Sequence, residues 1–253
     1  MRPSSSATQI KDSTYENIKV DCPHCGREVI YNRRSDIGHC RPISGMEVKC
    51  LHGDCDQVFR IIGDSVEPSY SMLLAGCYEL MGLKRYMSCV LTVAQAYEVF
   101  FSLYFRVELL YKPYAGTPKG GSLPRLNDLA QRLTTNTKPY AFEAMRSAFL
   151  THIVSGVKPA NLDDSEKVID AFPPKPAVPP DSAIRTLSDP KASQLLLEVK
   201  KAKIATLRNN VVHKTAYRPT KDEAKNALDE GMNLLLPLGS RLDLHDDVNW
   251  YGR

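Results

Sequence analysis

Two regimes of apolar spacing divide the chain. Between Lys19 and Asp64 the apolar residues fall in short runs of branched and aromatic side chains, Glu28-Val29-Ile30-Tyr31 and Gln57-Val58-Phe59-Arg60-Ile61-Ile62, which predict strands. Pro68 marks a break, and beyond it apolar residues recur every three or four positions, the period of a helix buried on one face. That spacing predicts a first helix at about Tyr70–Met81 and a long second one at about Lys84–Tyr111, with Gly82 as the joint and Pro113 ending the second. The segment Lys112–Pro124 carries three prolines and three glycines and reads as a loop. Two shorter helices follow, Leu123–Leu133 and Tyr140–Val154.

Residues 172–180 (FPPKPAVPP) hold five prolines and cannot be helical. They read as an extended spacer, or as a docking segment for a proline-reading partner. After Pro190 one helix runs through Leu195, Leu196, Val199, Ile204 and Leu207 towards His213. A last helix starts after Pro219, where Thr220 and Glu223 fit a capping box and Asp222 adds charge suited to a helix start. Its apolar face is Ala224, Ala227, Leu228, Leu234 and Leu235. No internal repeat is visible. The expected division is a disordered tail at 1–18, a small β-containing module at 19–66, a mainly α helical bundle at 68–245, and a C-terminal tail at 246–253.

Composition alters this picture little. Among 253 residues, 43% are hydrophobic and 25% charged, ordinary for a globular protein, and the net charge of +4 is too mild to announce a nucleic-acid binder. Residues 1–12 lack the apolar core of a secretory signal. The most apolar stretch, Cys89–Tyr111, contains Gln95, Glu98, Arg106 and Glu108, which favours a buried helix over a membrane span. Seven cysteines without a leader suggest a reducing cytoplasm, where close pairs bind metal more often than they form disulfides.

Five of those cysteines lie between Lys19 and Asp64. Cys22-Pro23-His24-Cys25-Gly26 is a knuckle: two thiolates two residues apart, then a glycine that lets a tight turn aim both sulfurs at one ion. Cys50 and Cys55 form a second, wider pair, and together the four make a closed tetrahedral set for structural Zn2+. Cys40, His39, His24 and His52 compete for the fourth position. Cys77 and Cys89 sit among apolar helix residues and read as small buried hydrophobes. A 46-residue segment with few large apolar residues needs a metal to fold. It carries seven basic and seven acidic residues, and zinc with four thiolates adds two negative charges, so it is a poor main surface for phosphate. Arg33, Arg34 and Arg41 could form a local basic edge. Stabilising the fold or contacting a protein partner suits the module better.

The second candidate lies in Leu207-Arg208-Asn209-Asn210-Val211-Val212-His213-Lys214. Metal-free RNA cleavage needs proton transfer from the 2′-OH and to the leaving 5′-oxygen, and positive charge on the transition state. His213 suits the proton transfer, Arg208 can hold phosphate oxygens in bidentate fashion, and Asn209, one turn before His213, can orient the imidazole or bind phosphate. From Glu198 to Lys221 the basic residues are Lys200, Lys201, Lys203, Arg208, Lys214, Arg218 and Lys221, against one acid, a focused patch. Five residues turn a helix by about 140°, so Arg208 and His213 do not share a face. Either the helix loosens, the arginine reaches around, or two copies of the motif meet. His152 and His245 have no evident partner and read as surface or packing residues.

The pattern Arg, polar residue, three residues, His near a helix end resembles the HEPN superfamily of helical domains (higher eukaryotes and prokaryotes nucleotide-binding). Tyr97-Glu98 is similar to a charged position that many members carry on an early core helix. The resemblance covers the helical architecture over about residues 70–245. It implies a homodimer whose motifs face one composite cleft, an endoribonuclease activity on RNA with one histidine as base and one as acid, and a toxin-like or antiviral defence setting. Two other readings remain at this stage. One is a non-catalytic module that binds RNA or a partner; the other is a zinc-dependent DNA-binding regulator, which the module's charge balance disfavours.

Overall fold

The computed structural model describes residues 17–32, 47–61, 68–115, 122–137, 141–173 and 176–244. The sequence readings placed on Arg33, Arg34, His39, Cys40, Arg41, His245 and both tails lie outside the described residues. The chain divides into two compact units at Glu67–Pro68.

The first unit contains two antiparallel hairpins. Strand β1 (Asn17–Asp21) pairs with β2 (Glu28–Asn32), and β3 (Glu47–Lys49) with β4 (Val58–Arg60). Strands β2 and β4 are the ones the branched runs predict; β3 is too short and polar to stand out. The apolar residues buried here are Cys22, Val29, Tyr31, Cys50, Phe59 and Ile61. Two of those six are cysteines, so the described residues supply little hydrophobic burial to this unit.

The second unit is a bundle of helices: α1 (Ser69–Gly82), α2 (Tyr86–Arg106), α3 (Lys112–Ala115), α4 (Ser122–Thr137), α5 (Phe142–Ser155), α6 (Leu162–Asp170), α7 (Asp181–Arg185), α8 (Pro190–Lys201), α9 (Ile204–His213) and α10 (Lys221–Arg241). The apolar helix α2 is its centre and packs on α1, α5, α9 and α10. It is long and apolar enough, with its continuation to Tyr114, to cross a membrane, yet most of it is already buried inside the bundle. Phe100, Phe101 and Tyr104 on α2 meet Phe149 of α5, with ring centroids 4.8 Å apart for Phe101–Phe149 and Tyr104–Phe149. Helix α10 comes close through Gly239, where a β-carbon would stand 2.0 Å from the Tyr70 hydroxyl. The five apolar residues assigned to the inner face of this helix are all buried.

Two expectations are corrected here. Pro113 does not end the second helix. A π-helical turn at Val107–Tyr111 precedes it, the Lys112 N–H reaches Val107 O, and the chain stays helical to Ala115. The wider turn tolerates the missing N–H that would break an α-helix. The segment after Pro190 is not one helix, because Ala202 takes φ −54° and ψ 131° and separates α8 from α9. Arg146 of α5 makes this break: its guanidinium donates to the carbonyls of Val199 (3.4 Å) and Ala202 (3.0 Å) and satisfies the end of α8. Helices α6 and α7 escaped the apolar pattern. Helix α6 is nonetheless capped by Asn161, which accepts from the N–H groups of Asp163 and Asp164.

Candidate functional site

The two hairpin turns bring the four cysteines together. In the first, the Cys22 N–H donates to Arg27 O (3.0 Å) and the Gly26 N–H to Cys22 O (2.8 Å). In the second, the Cys50 N–H donates to Gln57 O (2.8 Å), and Cys55 and Asp56 donate to His52 O (2.9 and 3.0 Å). The sulfurs of Cys22, Cys25, Cys50 and Cys55 all lie within 4.8 Å of one another. Cys22 and Cys55 are 3.8 Å apart, and Cys25 and Cys50 are 3.9 Å apart. Four sulfurs about 2.3 Å from a tetrahedral metal would be spaced by roughly 3.8 Å, whereas a disulfide needs about 2.0 Å. The cluster therefore has the geometry to hold a metal ion. The Arg27 backbone N–H draws the Cys25 thiol down to about 6, while burial pushes Cys50 up to about 12.

Neither described histidine rival takes a ligand position. His24 Nε2 lies 3.2 Å from Val58 O, and His52 Nε2 lies 2.9 Å from Glu28 O. Each imidazole thus donates to the first residue of the other hairpin's second strand. The two hairpins are near repeats in space: cysteine, two-residue step to histidine, second cysteine, a residue with positive φ, then a strand. The sequence hid this because the second turn is two residues longer. Arg27 pairs with Asp54, Lys49 with Asp56 and Arg60 with Glu47, so the basic side chains placed in this unit are matched by acids.

In the helical unit, α9 carries Arg208, Asn209 and His213. It packs along α2 and presents its polar residues on two sides. Arg208 is half-buried and lines a cavity of about 390 Å³ with Glu98 of α2, Thr134 and Thr137 of α4, and Phe142 and Met145 of α5. Its Nη1 also lies 3.4 Å from the Asn209 amide oxygen. Glu98 thus lines the same cavity as the motif arginine. Its neighbour Tyr97 is buried in the core, with a hydroxyl that has no partner among the described residues. Asn209 and His213 are exposed, and His213 is the last residue of the helix. His213 does not line the Arg208 cavity.

The basic residues assigned to the patch fare differently. Lys200 is tied down, donating to Pro179 O (2.8 Å) and pairing with Asp181 of α7. Lys201, Lys203, Lys214 and Arg218 are exposed. On its other side α9 meets α10 around a cavity of about 520 Å³, entered by Lys203, Asn210, Tyr217, Asn226 and Glu230. Nothing in the apolar spacing marks this cavity, because Tyr217 and Asn226 reach it from a loop and a neighbouring helix.

His152 is corrected from an unpartnered residue to a buried one. Its Nδ1 is hydrogen-bonded to the Tyr104 hydroxyl at 2.8 Å, and burial holds its pKa below the ordinary histidine value. Cys77 and Cys89 are buried as expected, with the Cys77 Sγ 3.7 Å from Cys89 O. Comparison of the chain with protein-family models, with curated proteins and with solved structures gives no match.

Proposed function

We propose that this protein is a metal-independent endoribonuclease of HEPN type that works as a homodimer, with a structural zinc in its N-terminal hairpins. The observation that carries the reading is the placement of Arg208-Asn209-x3-His213 at the end of α9, with Arg208 and Glu98 lining one cavity and His213 exposed at the helix tip. One imidazole takes the 2′-OH proton as the 2′-oxygen attacks phosphorus. The P–O5′ bond breaks, and the leaving oxygen takes a proton from a second imidazole. Arg208 neutralises the charge building on the non-bridging oxygens. Arg208 and His213 lie on different sides of one helix, so a second copy is what supplies both to one phosphate.

Zinc is the proposed metal because four thiolates in a closed tetrahedron select it among the common divalent ions. The ion holds the hairpins, and the chemistry does not pass through it. A toxin-like or antiviral role follows from the HEPN resemblance alone. The test is incubation of the pure protein with mixed RNA beside Arg208→Ala and His213→Ala variants, with the product ends mapped. Cyclic 2′,3′-phosphate ends from the wild type alone are expected. Equal RNA binding by wild type and His213→Ala with no cleavage by either would make it a non-catalytic RNA-binding module; cleavage surviving in His213→Ala would remove the proposal.

A further inference from the structure

The cavity between α9 and α10 has the build of a base-binding site. Its floor is apolar, made by Ile204, Leu207 and Ala227. Its walls carry hydrogen-bonding groups with unused capacity: the side-chain amides of Asn210 and Asn226 make no hydrogen bond among the described residues. Glu230 is half-buried there, and burial raises its pKa above the ordinary glutamate value. Tyr217 stands at the edge with its ring fixed by a 2.7 Å hydrogen bond from its hydroxyl to Glu223. Glu223 is spent on that bond and on the Thr220 cap, so it is not free for a ligand.

These features select a ligand. The volume of about 520 Å³ falls in the range of small-molecule sites, roughly 300–1,000 Å³. Among the described residues that line it, the one cation, Lys203, is outweighed by Glu223 and Glu230, so a phosphate would be repelled from the interior. A flat neutral heterocycle is not. It can lie on the apolar floor against the tyrosine ring, with its polar edge towards two amides and a carboxylate. A carboxylate accepts and does not donate, which favours a base that presents adjacent N–H groups, as guanine does. The site also adjoins the motif. On α9, Thr206 and Asn210 precede His213 by seven and three residues, spacings that put all three along one side of the helix.

We propose that this cavity takes the base of the nucleotide next to the cleaved phosphate, with Asn210, Asn226 and Glu230 reading a donor-bearing base, guanine foremost. This rests on the ribonuclease reading, and it has a binding readout of its own. The experiment has two arms, each with wild type, Asn226→Ala and Glu230→Gln. Asn226 is exposed and the glutamine is isosteric, so both variants should fold.

In the first arm, cleavage positions are mapped on an RNA containing all neighbouring base pairs. A preference for guanine beside the cut is expected, weakened about fivefold or more in each variant, the size of one lost base contact. In the second arm, binding of the four nucleoside 3′-monophosphates is measured by titration calorimetry. Guanosine 3′-monophosphate should bind best and lose affinity by a similar factor in both variants. Cleavage whose base preference is unmoved by either substitution overturns the proposal and leaves the nuclease standing. Selective guanosine binding without any cleavage keeps the pocket and removes the nuclease. No cleavage and no selective binding removes both.

Discussion

Gly26 and Asp56 hold the same station in the two hairpin turns. Each follows its turn's second cysteine, and each has a left-handed backbone, φ +67° for Gly26 and +51° for Asp56. Glycine takes that conformation freely, whereas a residue with a β-carbon is strained there by roughly 1 kcal/mol. Asp56 gains little in return, since its 2.8 Å ion pair with Lys49 is exposed on both sides. Asp56→Gly should therefore stabilise the metal-bound protein by up to about 1 kcal/mol, and Gly26→Ala should destabilise it by about 1–2 kcal/mol. Denaturant unfolding followed by metal release reads both. A destabilised Asp56→Gly would mean that the aspartate makes a stronger contact than its ion pair with Lys49.

Metal removal should unfold one unit and spare the other. Among the described residues the hairpins bury only six apolar ones, and two are cysteines of the cluster, whereas the helical unit has a continuous core of its own. Metal binding to small cysteine sites contributes on the order of 10 kcal/mol, more than such a core can replace. Cys50→Ser should carry less than one equivalent of metal by mass spectrometry of the ion content. Protease sites should open within residues 17–61, with nearly unchanged far-ultraviolet dichroism, because the helices dominate that signal. Loss of most helical signal in this variant would show that the helical unit depends on the metal.

Asp189 ties the start of α8 to the end of α10. Its carboxylate accepts from the N–H groups of Lys191 (2.9 Å) and Ala192 (3.1 Å) and pairs with Arg241 at 2.6 Å. The Ala192 N–H first, and Arg241 with it, hold its pKa below the usual aspartate value. A depressed folded-state pKa gives stability that is full above the unfolded value of about 3.9 and is lost as pH falls through the folded one. Asp189→Asn keeps the cap and removes the charge. Its melting temperature should lie below that of the wild type at pH 7, and the gap should close as pH falls below the usual aspartate range. A gap that stays constant down to pH 2 would assign the effect to something other than this carboxylate.

Arg146 is the residue on which the shape of the candidate site depends most. Its side chain is 13% exposed, lies over the Phe142 ring at 5.9 Å, and closes the end of α8 just before α9 begins. Replacing a buried charged donor that satisfies two carbonyls costs about 2–3 kcal/mol, so Arg146→Ala should destabilise by that amount and Arg146→Lys by less. The variant should also lose RNA cleavage more than its remaining folded fraction explains, because the break that aims α9 has lost its cap. Full cleavage by folded Arg146→Ala would show that α9 keeps its direction without the guanidinium.

What could be read from the sequence was local. Thr220 and Glu223 lie three residues apart and do form the capping box, with the Thr220 N–H donating to Glu223 at 2.8 Å. The cysteine pairs announced themselves by spacing, and among the described residues the four chosen thiols converge. What could not be read depends on distant residues. The α8–α9 break carries no glycine or proline; Arg146, more than fifty residues earlier, makes it. His24 and His52 look like ligands by composition, and only the crossing of the hairpins gives them carbonyls instead. The Tyr104–His152 bond likewise joins two helices whose separate patterns say only that each is apolar.

The most demanding prediction concerns which chain supplies which group. Within one copy Arg208 faces the α2–α5 side of α9 and shares its cavity with Glu98, while His213 stands at the helix tip and does not line that cavity. If one phosphate needs both, the arginine and an imidazole come from different subunits. Arg208→Ala and His213→Ala proteins should each be inactive, yet their mixture should cut RNA once subunits have exchanged. The mixed dimer keeps one intact arginine and one intact histidine on opposite chains, with water standing in for the missing second imidazole. Random pairing then makes about half the dimers mixed, and each, short of one imidazole, should cut at well under a quarter of the wild-type rate yet faster than either parent. Tagging the two variants differently and isolating the mixed dimer removes doubt about exchange. A purified mixed dimer that cuts no faster than either parent would refute pairing across subunits.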